Sequence, residues 1–347
     1  MRVLQIMAGK GNGGAELYST DIMLSLHEAG LDQRIVLRPK APRFAELHEV
    51  GLSMAPEVLG VPFRPLQRWQ LRKLVATYKP DIIHCWMRRA VSLVAPHAAP
   101  AVIGWYGDYE EQETYFAHCT HFIGVTPDLV RHAYAHGAQP GTAFYVPTFP
   151  SVEDAPALDL ATLDTPPGAK ILLTLSRLHK VKGLDTALHA LAQLPDCYLW
   201  IAGDGPEEAA LRQLAAELGV AERVRFLGWR TDRGALLKAA DICLLPSRYE
   251  PFGTVILDAW SMGTAFIACA SDGPRAYIHN GENGMLVPAD DAPALAQAVC
   301  AVLDSEVLRQ NIASTGHAEY LAGFTREAVT RRMLETYTQI LGERLVV

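Results

Sequence analysis

Short, predominantly apolar runs, most of them ending in a glycine- or proline-containing turn and leading into a helix-periodic stretch, recur along this chain. Val3–Met7, Gln33–Leu37, Ile82–Cys85, Ala101–Trp105 and Phe122–Val125 form one series; Lys170–Leu175, Leu199–Ala202, Val224–Leu227 and Asp241–Leu245 form a second. A strand that is apolar on both faces must be covered on both, and alternation with helices supplies the cover. The pattern therefore predicts an α/β fold of doubly wound parallel sheets. At 347 residues the chain exceeds one ordinary core and fits two. The pattern dissolves in the Pro-, Asp- and Ala-rich stretch 151–169, which reads as a linker. The expected division is 1–150, then the linker, then 170–325, with 326–347 as a closing helix packed back on the first domain. Ligands of such sheets bind at the carboxyl ends of strands, so chemistry is sought there.

The most informative strand end is Leu244–Ala268. Pro246 and Ser247 end the strand, Arg248-Tyr249-Glu250 turn, and Pro251-Phe252-Gly253 lead into a helix. Val255, Ile256, Ala259 and Met262 recur at helical spacing from Thr254 until Gly263 stops the run. The start of that helix presents unpaired N–H groups and a positive dipole end, which attract phosphate and sugar oxygens. Glu250 in the loop and Asp258 about one turn into the helix bracket it. Helical side chains lean toward the N-terminus, so Asp258 faces the space that Glu250 faces. Two acids around a glycine-softened helix start suit a polyol phosphate.

Two further turns extend this chemistry. After Lys170–Leu175 comes Ser176-Arg177-Leu178-His179-Lys180-Val181-Lys182-Gly183. Arg177 offers a planar fork and Lys182 a point charge, a pair suited to a diphosphate. After Val3–Met7 comes Gly9-Lys10-Gly11-Asn12-Gly13-Gly14-Ala15-Glu16, a strand-to-helix turn that lacks both the dinucleotide fingerprint and the P-loop lysine. His84, Tyr106 and Asp108, with Trp105 and Thr126, stand at predicted strand ends in the first domain.

Glu250 and Asp258, with seven residues between them, resemble the E-x7-E signature of retaining glycosyltransferases of family 4 (group 1), with Asp in place of the second Glu. Gly13-Gly14-Ala15-Glu16, the Arg177…Lys182-Gly183 pair, Gly203-Asp204-Gly205, Gly228-Trp229-Arg230 and Asn280–Val287 resemble further landmarks of that family. The resemblance implies a GT-B architecture, two Rossmann-like domains facing across a cleft, and transfer of a sugar from a nucleotide-diphosphate sugar with retention and without a metal. By analogy Arg177 and Lys182 hold the diphosphate and Glu250 contacts the transferred sugar. Asp258 binds the donor ribose; the amides of Phe252, Gly253, Thr254 and Val255 surround hydroxyls or phosphate; Gly203, Asp204, Trp229 and Arg230 border the base. Gly13, Gly14, Glu16, Tyr106, Asp108 and His84 fall on the acceptor or phosphate side. Tyr106 stands where relatives carry His, and Arg275 where Glu is common. The donor implied is a UDP- or GDP-sugar and the acceptor a glycan or lipid-linked glycan of cell-envelope polysaccharide or lipopolysaccharide; no cofactor is called for. A non-catalytic sugar-nucleotide- or glycan-binding protein, a nucleotide-sugar epimerase and a phosphorylase remain as rivals.

Composition sets the surroundings. The formal net charge is −7, yet residues 34–89 carry 11 Lys/Arg against 4 Asp/Glu. Within them Leu66, Trp69, Leu71, Leu74 and Val75 give a partial apolar face beside Arg68, Arg72 and Lys73. That helix reads either as a sheet cover with a solvated charged side or as an anionic membrane contact. An acidic chain without a nucleic-acid module is not expected to bind nucleic acid. The six cysteines have no CxxC spacing and read as reduced packing residues, and the first residues read as strand and loop, not a signal peptide. The expected location is cytoplasmic, extending to the inner face of the cytoplasmic membrane.

Overall fold

The computed structural model describes residues 1–9, 13–41, 43–109, 111 and 117–342. One unit comprises Met1–Phe149 with the chain from Arg326 onward, the other Pro150–Thr325.

The first unit is built on β1 (Arg2–Met7), β2 (Asp32–Val36), β3 (Ser53–Met54), β4 (Ile82–Trp86), β5 (Ala101–Tyr106), β6 (His121–Gly124) and β7 (Ala143–Tyr145). They form one sheet in the order β3-β2-β1-β4-β5-β6-β7, every pairing parallel. Every residue of β4, β5 and β6 is buried, which is why these strands read as continuous apolar runs. The edge strands β3 and β7, two and three residues long, are too short to leave a periodic signal. Strand order reverses between β1 and β4, making their carboxyl ends the unit's switch point.

The closing helix Arg326–Gly342 belongs to this unit and buries Met333, Tyr337 and Ile340. Gln5 Nε2 donates to the Tyr337 hydroxyl at 3.3 Å, and that hydroxyl lies 2.6 Å from His84 Nδ1. The helix is thus fastened to the middle of the sheet by polar groups that have no water to turn to.

The second unit contains β8 (Lys170–Leu175), β9 (Cys197–Ala202), β10 (Val224–Gly228), β11 (Ile242–Leu245), β12 (Ala265–Cys269) and β13 (Met285–Val287). Their order is β10-β9-β8-β11-β12-β13, again all parallel, with the reversal between β8 and β11. Leu172, Leu199, Ile201, Ile242, Leu244 and Ile267 pack beneath Leu188, Leu191, Leu295 and Val299 of two covering helices. Each such side chain contributes about 1.5–3 kcal/mol by leaving water, so the frame holds its loops in place. The stretch 151–169, expected as a linker, lies along this unit. Leu158 N donates to Ala235 O, Arg225 Nε to Leu163 O at 2.8 Å, and Trp200 Nε1 to Thr165 Oγ1 at 3.0 Å.

Among the described residues no helix is long and apolar enough to cross a membrane. The basic helix Arg64–Tyr78 departs from expectation: Gln67, Leu71 and Leu74 face inward, while Leu66 and Trp69 face solvent. The apolar side chains read as one face are divided between two.

Candidate active site

The reversal between β8 and β11 brings together loops that are far apart in sequence. From β8 the chain runs through Arg177 and the 3-10 turn Lys180–Lys182 into the helix Leu184–Leu191; from β11 it runs through Glu250 into the helix Thr254–Ser261. Gly183 joins them closely. Its φ of 63° is left-handed, and a Cβ there would overlap the Pro246 carbonyl oxygen. Arg248 N donates to Val181 O at 2.9 Å, and the Arg248 guanidinium spans Asp185 at 2.6 Å and Asp290 at 2.6 Å. These bonds fix the β11 loop against the β8 loop.

Within this frame Lys182 Nζ lies 2.6 Å from Glu250 Oε2, the two side chains 16% and 13% exposed. Ser247 Oγ stands 3.5 Å from the same oxygen. The putting together of a cation suited to diphosphate and an acid suited to sugar spans 68 residues of sequence. Arg177 is exposed and, among the described residues, no hydrogen bond or ion pair holds its side chain.

The helix start has the geometry that the glycine implied. Gly253 is its N-cap at φ 85°, beside the Glu250 side chain and Leu245. Phe252 is buried, edge-on to Tyr277 at 5.2 Å. Gly273 N donates to Glu250 O at 2.8 Å, and a Cβ on Gly273 would overlap the Phe252 backbone. Thr254 and Val255 are half-buried at the first helical positions.

Asp258 is 2% exposed, its Oδ2 2.8 Å from Arg233, which also donates to Ser151 O at 2.8 Å. Burial pushes the Asp258 carboxyl up to about 6, and Arg233 pulls it down only part of the way. Sequence reasoning missed Arg233. It carries no motif, and only the packing of the helix Arg233–Ala239 against Thr254–Ser261 brings the pair together.

Gly203 and Asp204 follow β9. Gly203 N donates to Gly228 O at 2.7 Å, Leu178 N to Asp204 O at 2.8 Å, and Gly203 at φ 147° lies directly against the Ser176 carbonyl. The ends of β8, β9 and β10 are so joined in one layer. Trp229, just beyond, is 55% exposed, and Arg230 is held by Asp232, Nε to Oδ1 2.7 Å.

In the first unit Gly13 caps the helix Gly14–Glu28, and the Glu16 carboxylate folds back so closely that a Cβ on Gly9 or Gly13 would press on it. Lys10, Gly11 and Asn12 lie outside the described residues. Asp108 is exposed and accepts from Tyr109 N at 2.8 Å. Two acceptor-side expectations are corrected. His84 sits inside β4, which runs on to Trp86, so it is core and not strand end; burial lowers its pKa to about 3. Tyr106 is also fully buried, stacked on Phe122 at 5.7 Å. Both faces of β4 and β5 are covered, so a side chain within either strand, the last residue of β5 included, is buried whichever way it points.

Among the described residues no three His, Cys, Asp or Glu side chains are grouped as metal ligands. What the structure brings together at this loop is Lys182, Glu250 and the Gly253 helix start, with the buried Asp258–Arg233 pair on the same helix and Arg177 exposed on the β8 loop, groups suited to an anionic, hydroxyl-rich ligand.

Comparison with known proteins gives this set its family. The profile described as glycosyl transferases group 1 matches residues 159–318, and that described as Glycosyltransferase Family 4 matches residues 12–149. The lipopolysaccharide core biosynthesis glycosyltransferase LpsE of Rhizobium meliloti (strain 1021) is 32% identical over 99% of this chain and 100% of its own length. LpsD of the same organism is 30% identical over 99% and 100%. Among solved structures, Anabaena HepE in complex with UDP and glucose superposes with a TM-score of 0.80 at 20% identity, covering 97% of this chain and 99% of that one. The apo lipopolysaccharide outer core galactosyltransferase WaaB gives 0.76 at 18% identity, covering 99% and 100%. At such identities the structures speak for the GT-B fold alone, whereas the full-length sequence relatives carry the family. The chain belongs to the group 1, family 4 glycosyltransferases.

Proposed function

We propose that the chain transfers a sugar from a nucleoside-diphosphate sugar, UDP- or GDP-linked, to a glycan or lipid-linked acceptor in cell-envelope polysaccharide or lipopolysaccharide synthesis. The observation that carries the reading is the meeting of Lys182, Glu250 and the Gly253 helix start at the switch point of the second unit. The lipopolysaccharide core relatives, similar over their whole length, support the acceptor class.

In this reading Arg177 and Lys182 take the diphosphate, so that the charge of the leaving group is met by protein cations. Lys182, already on Glu250, turns part of its hydrogen bonding to phosphate when the donor enters, and Glu250 is then released toward the sugar hydroxyls. The amides from Phe252 to Val255 complete the cradle. The Asp258–Arg233 pair serves the ribose, and Gly203, Asp204, Trp229 and Arg230 border the base. Gly13, Gly14, Glu16 and Asp108 serve the acceptor or phosphate side. The acceptor oxygen bonds to the anomeric carbon on the face that the diphosphate leaves; the anomeric carbon–oxygen bond breaks, and the acceptor proton passes to the departing phosphate oxygen. Configuration is retained, with no protein nucleophile.

The test is thermal unfolding against UDP, GDP, ADP and CMP for the wild type, Arg177→Ala, Lys182→Ala and Glu250→Gln. A ligand at about 100 times its Kd adds roughly 2.7 kcal/mol. UDP or GDP should raise the wild-type Tm, both cation variants should lose most of that rise, and Glu250→Gln should keep it while losing transfer. No response to any of the four, or a response that survives in both cation variants, would sink the proposal.

A further inference from the structure

The carboxyl ends of β2, β1 and β4 lie side by side at the switch point of the first unit, Val36 and Cys85 both level with Ile6. Each of the two flanking strands delivers an arginine there. Arg38 follows the end of β2 by two residues, and Ala41 N closes a turn on its carbonyl at 3.0 Å. Arg89 lies on the short helix Met87–Val91 directly after β4. Met87, at a φ of 66° that is left-handed for a residue with a side chain, makes the sharp entry to that helix.

Other half-buried arginines of this chain are held. Arg43, Arg225, Arg233 and Arg248 each bond to carboxylates or backbone carbonyls. Arg38 is half-buried too, yet its Nε and Nη2 are closed off from solvent without a hydrogen-bond partner among the described residues. Burial lowers the Arg38 pKa, and the neighbouring Arg89 lowers it further. Among the described residues no carboxylate offsets that repulsion. Residues 34–89 carry 11 Lys/Arg to 4 Asp/Glu, and of those acids Glu46 is already engaged by Arg43.

Two guanidinium groups set together, one with buried donors unmet, work against the fold. Such an arrangement is kept where a ligand uses it. The carboxyl ends of strands are where small ligands of these sheets sit, and this one must bring negative charge. Phosphate and carboxylate both match the guanidinium fork, which gives each of them two parallel hydrogen bonds. No bond holds the Arg38 guanidinium, so it turns to an oxyanion without breaking one.

We propose that Arg38 and Arg89 form an oxyanion subsite at the ends of β2 and β4, which takes a phosphate or carboxylate group carried by the acceptor sugar. That the sugar is an acceptor rests on the proposed transfer; the subsite itself does not.

Isothermal titration of the full chain tests it, with mannose 6-phosphate, glucuronic acid and mannose as probes at matched ionic strength, each without nucleotide and with saturating UDP or GDP. At least one of the two charged sugars should bind, with mannose at least about tenfold weaker. Binding of mannose 6-phosphate alone assigns the subsite to phosphate, of glucuronic acid alone to carboxylate, and of both to the shared oxyanion. Arg38→Gln and Arg89→Gln should each weaken that binding at least about tenfold, and Arg38→Lys, which keeps the charge without the fork, should fall between. Arg177→Ala should bind the charged sugar as the wild type does, which separates this subsite from the diphosphate cations. Without ligand, Arg38→Gln should melt no lower than the wild type, because it removes a charge set against another. Both Gln variants should keep the thermal response to nucleotide, so that a failed donor site and a failed subsite give different results. Binding of neither charged sugar, equal binding of mannose, binding that survives in both Gln variants or is lost in Arg177→Ala, or a lower Tm for Arg38→Gln overturns the proposal.

Discussion

Replacing Asp258 with Asn should make the protein more stable relative to the wild type as pH rises, against the usual expectation for an acid paired with arginine. The Asp258 side chain is almost wholly buried, and burial outweighs the Arg233 guanidinium at 2.8 Å, raising the pKa from 3.8 to about 6. Because the folded value lies above the unfolded one, the folded state binds the proton more tightly. The stabilisation from the protonated acid is complete below about pH 4 and is lost as pH rises through about 6. A difference of about two pKa units, at about 1.4 kcal/mol each, is about 3 kcal/mol. Asn keeps a carbonyl oxygen for Arg233 and cannot ionise. Between about pH 4 and about pH 7 the wild type should therefore lose about 3 kcal/mol against Asp258→Asn. For a unit of this size that moves the Tm difference by about 6–12 °C. Scanning calorimetry of both proteins without nucleotide, at several pH values across that range, measures it, and other titrating groups cancel in the difference. A Tm difference that stays constant with pH refutes the reasoning. So does one that moves in favour of the wild type, because that would mean Arg233 holds the carboxyl below its ordinary range. A carboxylate retained at such a cost is expected where a ligand uses it, and the same variant should therefore weaken the response to nucleotide.

Two further outcomes follow from packing. Gly203→Ala forces a side chain into the Ser176 carbonyl at a left-handed φ, so the ends of β8 and β9 must part; a loss of about 3 kcal/mol or more and of the nucleotide response is expected, and a variant that melts and responds as the wild type does refutes the close approach. Tyr337→Phe removes the hydroxyl shared by Gln5 and His84 and should cost about 1–3 kcal/mol in the first unit while leaving the nucleotide-induced shift intact; an unchanged Tm would show that the network does not hold the closing helix.

Much of this protein is determined locally. Strands buried on both faces must be largely apolar, so β1, β4, β5, β8, β9 and β11 stand out in the sequence, whereas β3 and β7, at the sheet edges, are too short to do so. The turn from Pro246 to Thr254 is likewise legible, since a left-handed N-cap at Gly253 and a helix beginning at Thr254 are written in neighbouring residues. The Lys182–Glu250 and Arg233–Asp258 pairs are not, because each joins residues that only the crossing of strands and helices brings together. Nor does a periodic pattern say which way a particular side chain turns. His84 looks like a strand-end residue until β4 runs on past it to Trp86, and Tyr106, though the last residue of β5, is buried in the core. Leu66 and Trp69 look like core until the docking of their helix through Gln67, Leu71 and Leu74 leaves them in water. The sequence by itself determined the elements, their alternation and the loop chemistry at strand ends. The tertiary structure decided which of those side chains meet, which are buried and which remain for a partner, because contact and burial depend on positions far along the chain that no local pattern encodes.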